Sequence, residues 1–273
     1  MTAPHTPSTL VSALLTITEQ SIVPLTRTKI STGSKLFGAA ILSRASLSPI
    51  TVATNDERTS PLLHGEINCI QTFFSQPKEG RPETRDCIFY ATHEPCSLCL
   101  SGITWSGFNE FYYLFTYEDS RDLFSIPYDI DILTSVYQVR GEGETEENLS
   151  KKPLYNRENK FFKAKSVGEL VEMVEDEAER ERLRGEVVRI KGLYDELSET
   201  YQKGKAEGRE SSSVFKAQQR RFSPKEIDRK IEELGLDNTP AMKDKASAAI
   251  RVGRHKASMA VYDTEFVAAA AVN

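Results

Sequence analysis

His64-Gly65-Glu66 and, further along, Pro95-Cys96-Ser97-Leu98-Cys99 are residues whose types and spacing could do chemistry. One imidazole and two thiolates fill three corners of a Zn²⁺ tetrahedron, and three protein ligands rather than four leave a corner open, as catalytic zinc requires. Cys96 and Cys99 open a predicted helix, where the dipole lowers thiol pKa and favours the thiolate that zinc binds. Pro95 suits the start of that helix because its missing N–H is not needed there. Glu66, two residues past the histidine, can exchange protons beside the metal without being a ligand. The cysteine pair alone would also fit a redox couple or half of a closed structural zinc site. A closed site needs a fourth ligand from Cys87, His93 or Cys69. Cys69 and Cys87, however, read as small buried hydrophobes on a helix and a strand.

These groups need a scaffold. Leu10, Val11, Leu14, Leu15, Ile17, Ile22 and Val23 recur at helical spacing after Thr6-Pro7-Ser8-Thr9, which predicts an amphipathic helix over 8–23. Residues 37–42 and 50–54 read as the strands of a hairpin, and 55–61 as a polar loop. Helices are expected over 64–74 and 97–106, and strands over 87–92 and 110–117. Residues 129–137 read as helix or strand, and 141–148 as an exposed acidic loop. Alternating strands and helices predict an α/β fold, a three-layer α/β/α sandwich with a mixed sheet whose later strands run parallel.

The composition narrows the partners. The 273 residues carry a formal net charge of -5, and residues 1–165 hold 16 Lys/Arg against 19 Asp/Glu. A broad cationic face for long nucleic acids is therefore not expected, and a small-molecule substrate is favoured. With no long apolar run or leader-like segment, the expected setting is cytoplasmic or nuclear, without a membrane. Four cysteines are too few for a disulfide framework in this length.

The domain that carries these groups is expected over 1–165, followed by a helical C-terminal extension. Over 166–206 a long helix is expected, its seam formed by Leu183, Val187, Ile190, Tyr194, Leu197 and Tyr201. That seam either folds back on the core or self-associates. A linker is expected over 207–222, and a short helix with a mobile tail over 223–273; Ser223-Pro224-Lys225-Glu226 supplies a capping box.

His-x-Glu with Pro-Cys-x-x-Cys resembles the signature of the zinc deaminases. The segment from Phe37 to about Asp122 resembles the cytidine deaminase superfamily, in its branches acting on free bases, nucleosides and tRNA adenosine. Phe37-Gly38-Ala39-Ala40 matches the family's first strand. Thr92-His93-Glu94-Pro95-Cys96 is close to the form in tRNA adenosine and guanine deaminases, whereas His64-Gly65-Glu66-Ile67 is that of fungal cytosine deaminase. The resemblance implies one Zn²⁺ per chain on His64, Cys96 and Cys99, with Glu66 as the catalytic acid/base. It also implies hydrolytic removal of an exocyclic amino group from a purine or pyrimidine base or nucleoside, releasing ammonia.

Substrate contacts are implied for Asn55, for the Gly65 N–H, for Phe37 as a stacking ring and for Asp119, which otherwise reads as a helix cap. His93 has no catalytic counterpart in the family motif and reads as a hydrogen-bonded pocket residue. Trp105 and Tyr113 read as core or pocket wall, and the aromatics of 155–162 as a lid. A homodimer is expected by the same resemblance. Within the enzyme class the alternative is a tRNA adenosine deaminase or its subunit. Outside it stands a non-catalytic, zinc-stabilised scaffold, against which the retained Glu66 counts.

Overall fold

Strand β3 (Cys87–His93) is buried along its whole length, as a strand covered on both faces must be, and its near-continuous apolar run reflects this. It lies at the centre of a five-stranded sheet ordered β2-β1-β3-β4-β5 in a computed structural model that describes residues 5–208. β1 (Gly38–Ser43) runs antiparallel to both β2 (Pro49–Thr54) and β3. β4 (Glu110–Phe115) and β5 (Lys163–Ser166) continue parallel to β3. The mixed sheet and its parallel half are those expected.

Alternate residues of each strand feed two separate cores. Ala39, Ile41, Phe89, Ala91, Phe111 and Tyr113 face one core, shared with α3 (Gly65–Ser75) and α4 (Ser97–Trp105). Ala40, Leu42, Ile88, Tyr90, Tyr112 and Leu114 face the other, under α1 (Pro7–Ile17), α2 (Val23–Ile30), α8 (Val167–Glu172) and α9 (Glu177–Ala206). The result is the three-layer α/β/α arrangement. Between β4 and β5 run α5 (Tyr117–Phe124), α6 (Tyr128–Ile132) and α7 (Glu146–Ser150).

Several elements depart from expectation for local reasons. The first helical stretch continues past Val23 to Ile30. A widened turn over Thr18–Ile22, in which the Val23 N–H reaches the Thr18 carbonyl, precedes Pro24, which has no N–H to give. Residues 129–137 are helical, with α6 passing into a second widened turn over Leu133–Tyr137. The region 166–206 is not one helix. Ser166 ends β5 and caps α8 through a reciprocal box with Glu169, and Asp176 starts α9 by accepting from the Glu179 N–H. Residues 209–222 of the expected linker, and the helix and tail expected over 223–273, lie outside the described residues. No described helix is long and apolar enough to cross a membrane.

Candidate active site and metal centre

The C-terminal end of β3 and the N-termini of α3 and α4 converge on one point. His64 is the residue immediately before α3, in extended backbone, and Cys96 holds the same place before α4, with Cys99 in its first turn. Neither His64 nor Cys96 caps its helix with its own side chain. His64 Nδ1 lies 3.4 Å from Cys96 Sγ and 3.7 Å from Cys99 Sγ, and the three ligand atoms all lie within 4.8 Å of one another. A hydrogen bond from Cys99 holds the Cys96 thiol well below its usual range against the effect of burial, with His64 assisting. One imidazole and two thiols at this spacing fit a zinc ion with its fourth corner open. Among the described residues this is the group suited to a metal.

Gly65 lets α3 come this close to the sheet, and Gly38 makes room for Ile22 and for β2. A Cβ on Gly65 would lie 2.7 Å from Gly38 Cα, and one on Gly38 would meet Ile22 Cγ2 at 2.5 Å and the Ala53 carbonyl at 2.9 Å. Asn55, buried at the end of β2, accepts the Gly65 N–H at 2.8 Å through Oδ1 and so fixes the first turn of α3. That N–H is therefore already engaged and is not left for a ring carbonyl, as the resemblance implied. The Asn55 amide nitrogen is the atom left for a ligand.

Glu66 is fully buried, and neither carboxylate oxygen has a hydrogen-bond partner. Burial pushes its pKa up, with His93 acting in the opposite direction. A buried carboxylate without partners is costly unless something at the site completes it, and a metal centre with its attacking water would do so. His93 lies against it, with Nδ1 3.8 Å from Glu66 Oε1 and Nε2 3.3 Å from Asp129 Oδ2. Lys35 and Glu57 form a buried ion pair at 2.9 Å. Glu94 is held by the Tyr155 hydroxyl at 2.9 Å and the Tyr117 N–H at 3.2 Å.

Phe37 is placed differently from the stacking role expected for it. It is buried, stacks face to face on His93 with ring centres 3.8 Å apart and 8° between planes, and meets Phe124 edge-on. The face that a base would need is occupied by imidazole. Asp119 is likewise committed elsewhere. It closes the capping box of α5 with Thr116 and pairs with Lys191 of α9 at 2.6 Å, so its substrate contact is withdrawn. Trp105 is 91% exposed rather than core or pocket wall, whereas Tyr113 is buried and accepts from Arg157. Within 155–162, the segment expected as a lid, Tyr155 holds Glu94, Phe162 packs on Phe111, and Phe161 is exposed.

Sequence reasoning assigned no role to Lys35, Glu57 or Asp129. Nothing in their local sequence distinguishes them from surface charges; the signal is tertiary.

Fold and donor set together describe a three-layer α/β/α domain with a candidate zinc centre at the ends of β3, α3 and α4. Residues 18–115 match the family described as the cytidine and deoxycytidylate deaminase zinc-binding region. Among solved structures, the chain is similar to guanine deaminase from Bacillus subtilis, with 23% identity and a TM-score of 0.38 over 53% of this chain and 85% of that one. It is also similar to guanine deaminase from Nitrosomonas europaea, at 18% identity and a TM-score of 0.35 over 69% and 86%. A structure from work on tRNA:A34 deaminases shows 16% identity and a TM-score of 0.35 over 58% and 99%. No curated protein matches the chain.

Proposed function

We propose that this chain hydrolyses an exocyclic amino group from a free purine or pyrimidine base or its nucleoside, releasing ammonia. The observation that carries the reading is the fully buried, unpartnered Glu66 carboxylate beside three converging zinc donors. His64, Cys96 and Cys99 would hold a zinc ion, which when bound would supply a Lewis acid able to make water nucleophilic at neutral pH. Glu66 takes the proton of the attacking water and passes it to the ring nitrogen beside the reacting carbon. Water addition leaves a tetrahedral carbon; Glu66 then takes the remaining proton of the added hydroxyl and delivers it to the amine, and the C–N bond breaks to give the carbonyl and ammonia. A carboxyl whose pKa is raised by burial suits both directions of transfer, since an acid/base group works best near the operating pH. The free amide nitrogen of Asn55 is the donor assigned to a ring carbonyl or ring nitrogen of the substrate, and the acidic balance of residues 1–165 favours a small substrate over a long polyanion.

The test is ammonia release from cytosine, guanine, adenine, their nucleosides and nucleotides, and a tRNA anticodon stem. Turnover of a base or nucleoside is expected, falling by about 10²- to 10⁴-fold in Glu66→Ala with one zinc per chain retained. Silence across the panel from zinc-loaded protein would sink the reading, and turnover of the stem alone would transfer it to tRNA. The same reading includes a homodimer, supported by the exposed Trp105 at the end of α4. Light scattering that gives the mass of one chain would count against that assembly.

A further inference from the structure

Glu66 and His93 each carry buried polar atoms that lack hydrogen-bond partners: both carboxylate oxygens of the first and Nδ1 of the second. Two of these atoms, Nδ1 and Oε1, are 3.8 Å apart. The imidazole has little freedom to turn away. Its Nε2 is 3.3 Å from Asp129 Oδ2, one face lies on the Phe37 ring, and Phe124 supports Phe37 from behind while resting on Phe115 and Tyr194. A ring fixed at one nitrogen by a carboxylate has its other nitrogen fixed as well, in the manner of the supporting partners that orient catalytic and metal-binding groups.

We infer that His93 is the positioning residue for Glu66: with Nε2–H donated to Asp129, Nδ1–H is directed at Oε1 and leaves Oε2 for proton transfer. The inference rests on the deaminase reading above. Burial opposes a charged ring here, but the Asp129 hydrogen bond and the nearby Glu66 outweigh it, and the His93 pKa is raised. At 3.8 Å the separation is longer than a hydrogen bond, as catalytic contacts often are in a free enzyme.

Three full-length, zinc-loaded variants test this. His93→Phe keeps a flat ring against Phe37 and removes both nitrogens. It is expected to lower kcat for ammonia release by about 10- to 100-fold with KM little changed and zinc content intact. His93→Asn places an amide nitrogen near the position of Nδ1 and is expected to recover part of that loss, which a purely packing role would not allow. Unchanged kcat in His93→Phe, or no advantage of Asn over Phe, overturns the inference. An independent arm uses ¹⁵N-histidine spectra of the wild type and Glu66→Gln. The inference requires the His93 Nδ1 resonance to move in the variant, and an unmoved resonance overturns it. If the wild type releases no ammonia from any compound on the panel, the functional reading fails while the spectra still decide whether His93 and Glu66 are coupled. The spectra likewise decide if His93→Phe does not fold.

Discussion

Lys35 and Glu57 pair at 2.9 Å with side chains 10% and 1% exposed, and Glu57 also accepts the Lys35 backbone N–H at 2.7 Å. Enclosing two charges costs desolvation energy that their attraction must offset, so removing one partner leaves the other stranded. Lys35→Met is therefore expected to lower stability by about 3–5 kcal/mol in urea denaturation, and adding Glu57→Leu to recover much of the loss. Equal losses in the single and double variants would show that the pair is not coupled. The pH dependence has a definite sign. Burial works against the ammonium, but Glu57 outweighs it and raises the Lys35 pKa. Its contribution is thus fully present below the ordinary lysine range and is lost only as pH rises through the raised value. The difference between wild type and Lys35→Met should stay level across neutral pH and shrink in strong alkali. Zinc donors are legible in a sequence because only a few residue types can bind zinc, and their spacing follows the helix turn. Lys35 before a strand, or Asp129 within a short acidic run, has no such signature, because its importance comes from segments distant in the chain.

The first turn of α3 sits against β1 at Gly38 because Gly65 carries no side chain. A methyl group on Gly65 would meet Gly38 backbone at 2.7, 3.1 and 3.2 Å, and backbone cannot swing aside as a side-chain end could. Gly65→Ala is expected to push α3 outward and carry His64 and Glu66 with it. Zinc content after dialysis against a weak chelator and ammonia release should fall together, while far-ultraviolet circular dichroism remains close to wild type. Full zinc retention in that variant would show that the contact is tolerant. The boundaries of α3, α4 and the central strands were readable because their apolar periods and first residues agree. The β5–α8 junction was not. Lys163–Ser166 is only four residues of alternating burial, and its place beside β4 depends on pairing Ala164 with Phe111 rather than on any local run.

At the scale of the molecule, α9 is part of the core and not an appendage. Leu183, Ile190, Tyr194, Leu197 and Tyr201 of its expected seam are buried, and Tyr194 meets Phe115 and Phe124 at ring-centre distances of 4.9 and 6.3 Å. Ion pairs of Arg189 with Glu19 and of Lys191 with Asp119 fix the rotation of the helix about its axis, although each exposed pair contributes little. The periodicity was visible in the sequence, but a seam has the same spacing whether it faces its own chain or another copy. The two arrangements respond differently to one substitution. Removing the Tyr194 ring from an enclosed site forfeits its contacts and leaves a cavity, an expected loss of about 3–5 kcal/mol. For a seam buried within one chain, the thermal midpoint of Tyr194→Ala should fall by the same amount at every protein concentration. A seam that joined two chains would give a midpoint rising with concentration in the wild type and a mutant defect that narrows as the protein is concentrated. Because Tyr194 also supports Phe124, which supports Phe37 behind His93, the variant should lose ammonia release at temperatures well below its unfolding midpoint. Retained activity up to that midpoint would show that α9 stabilises the domain without bracing the site.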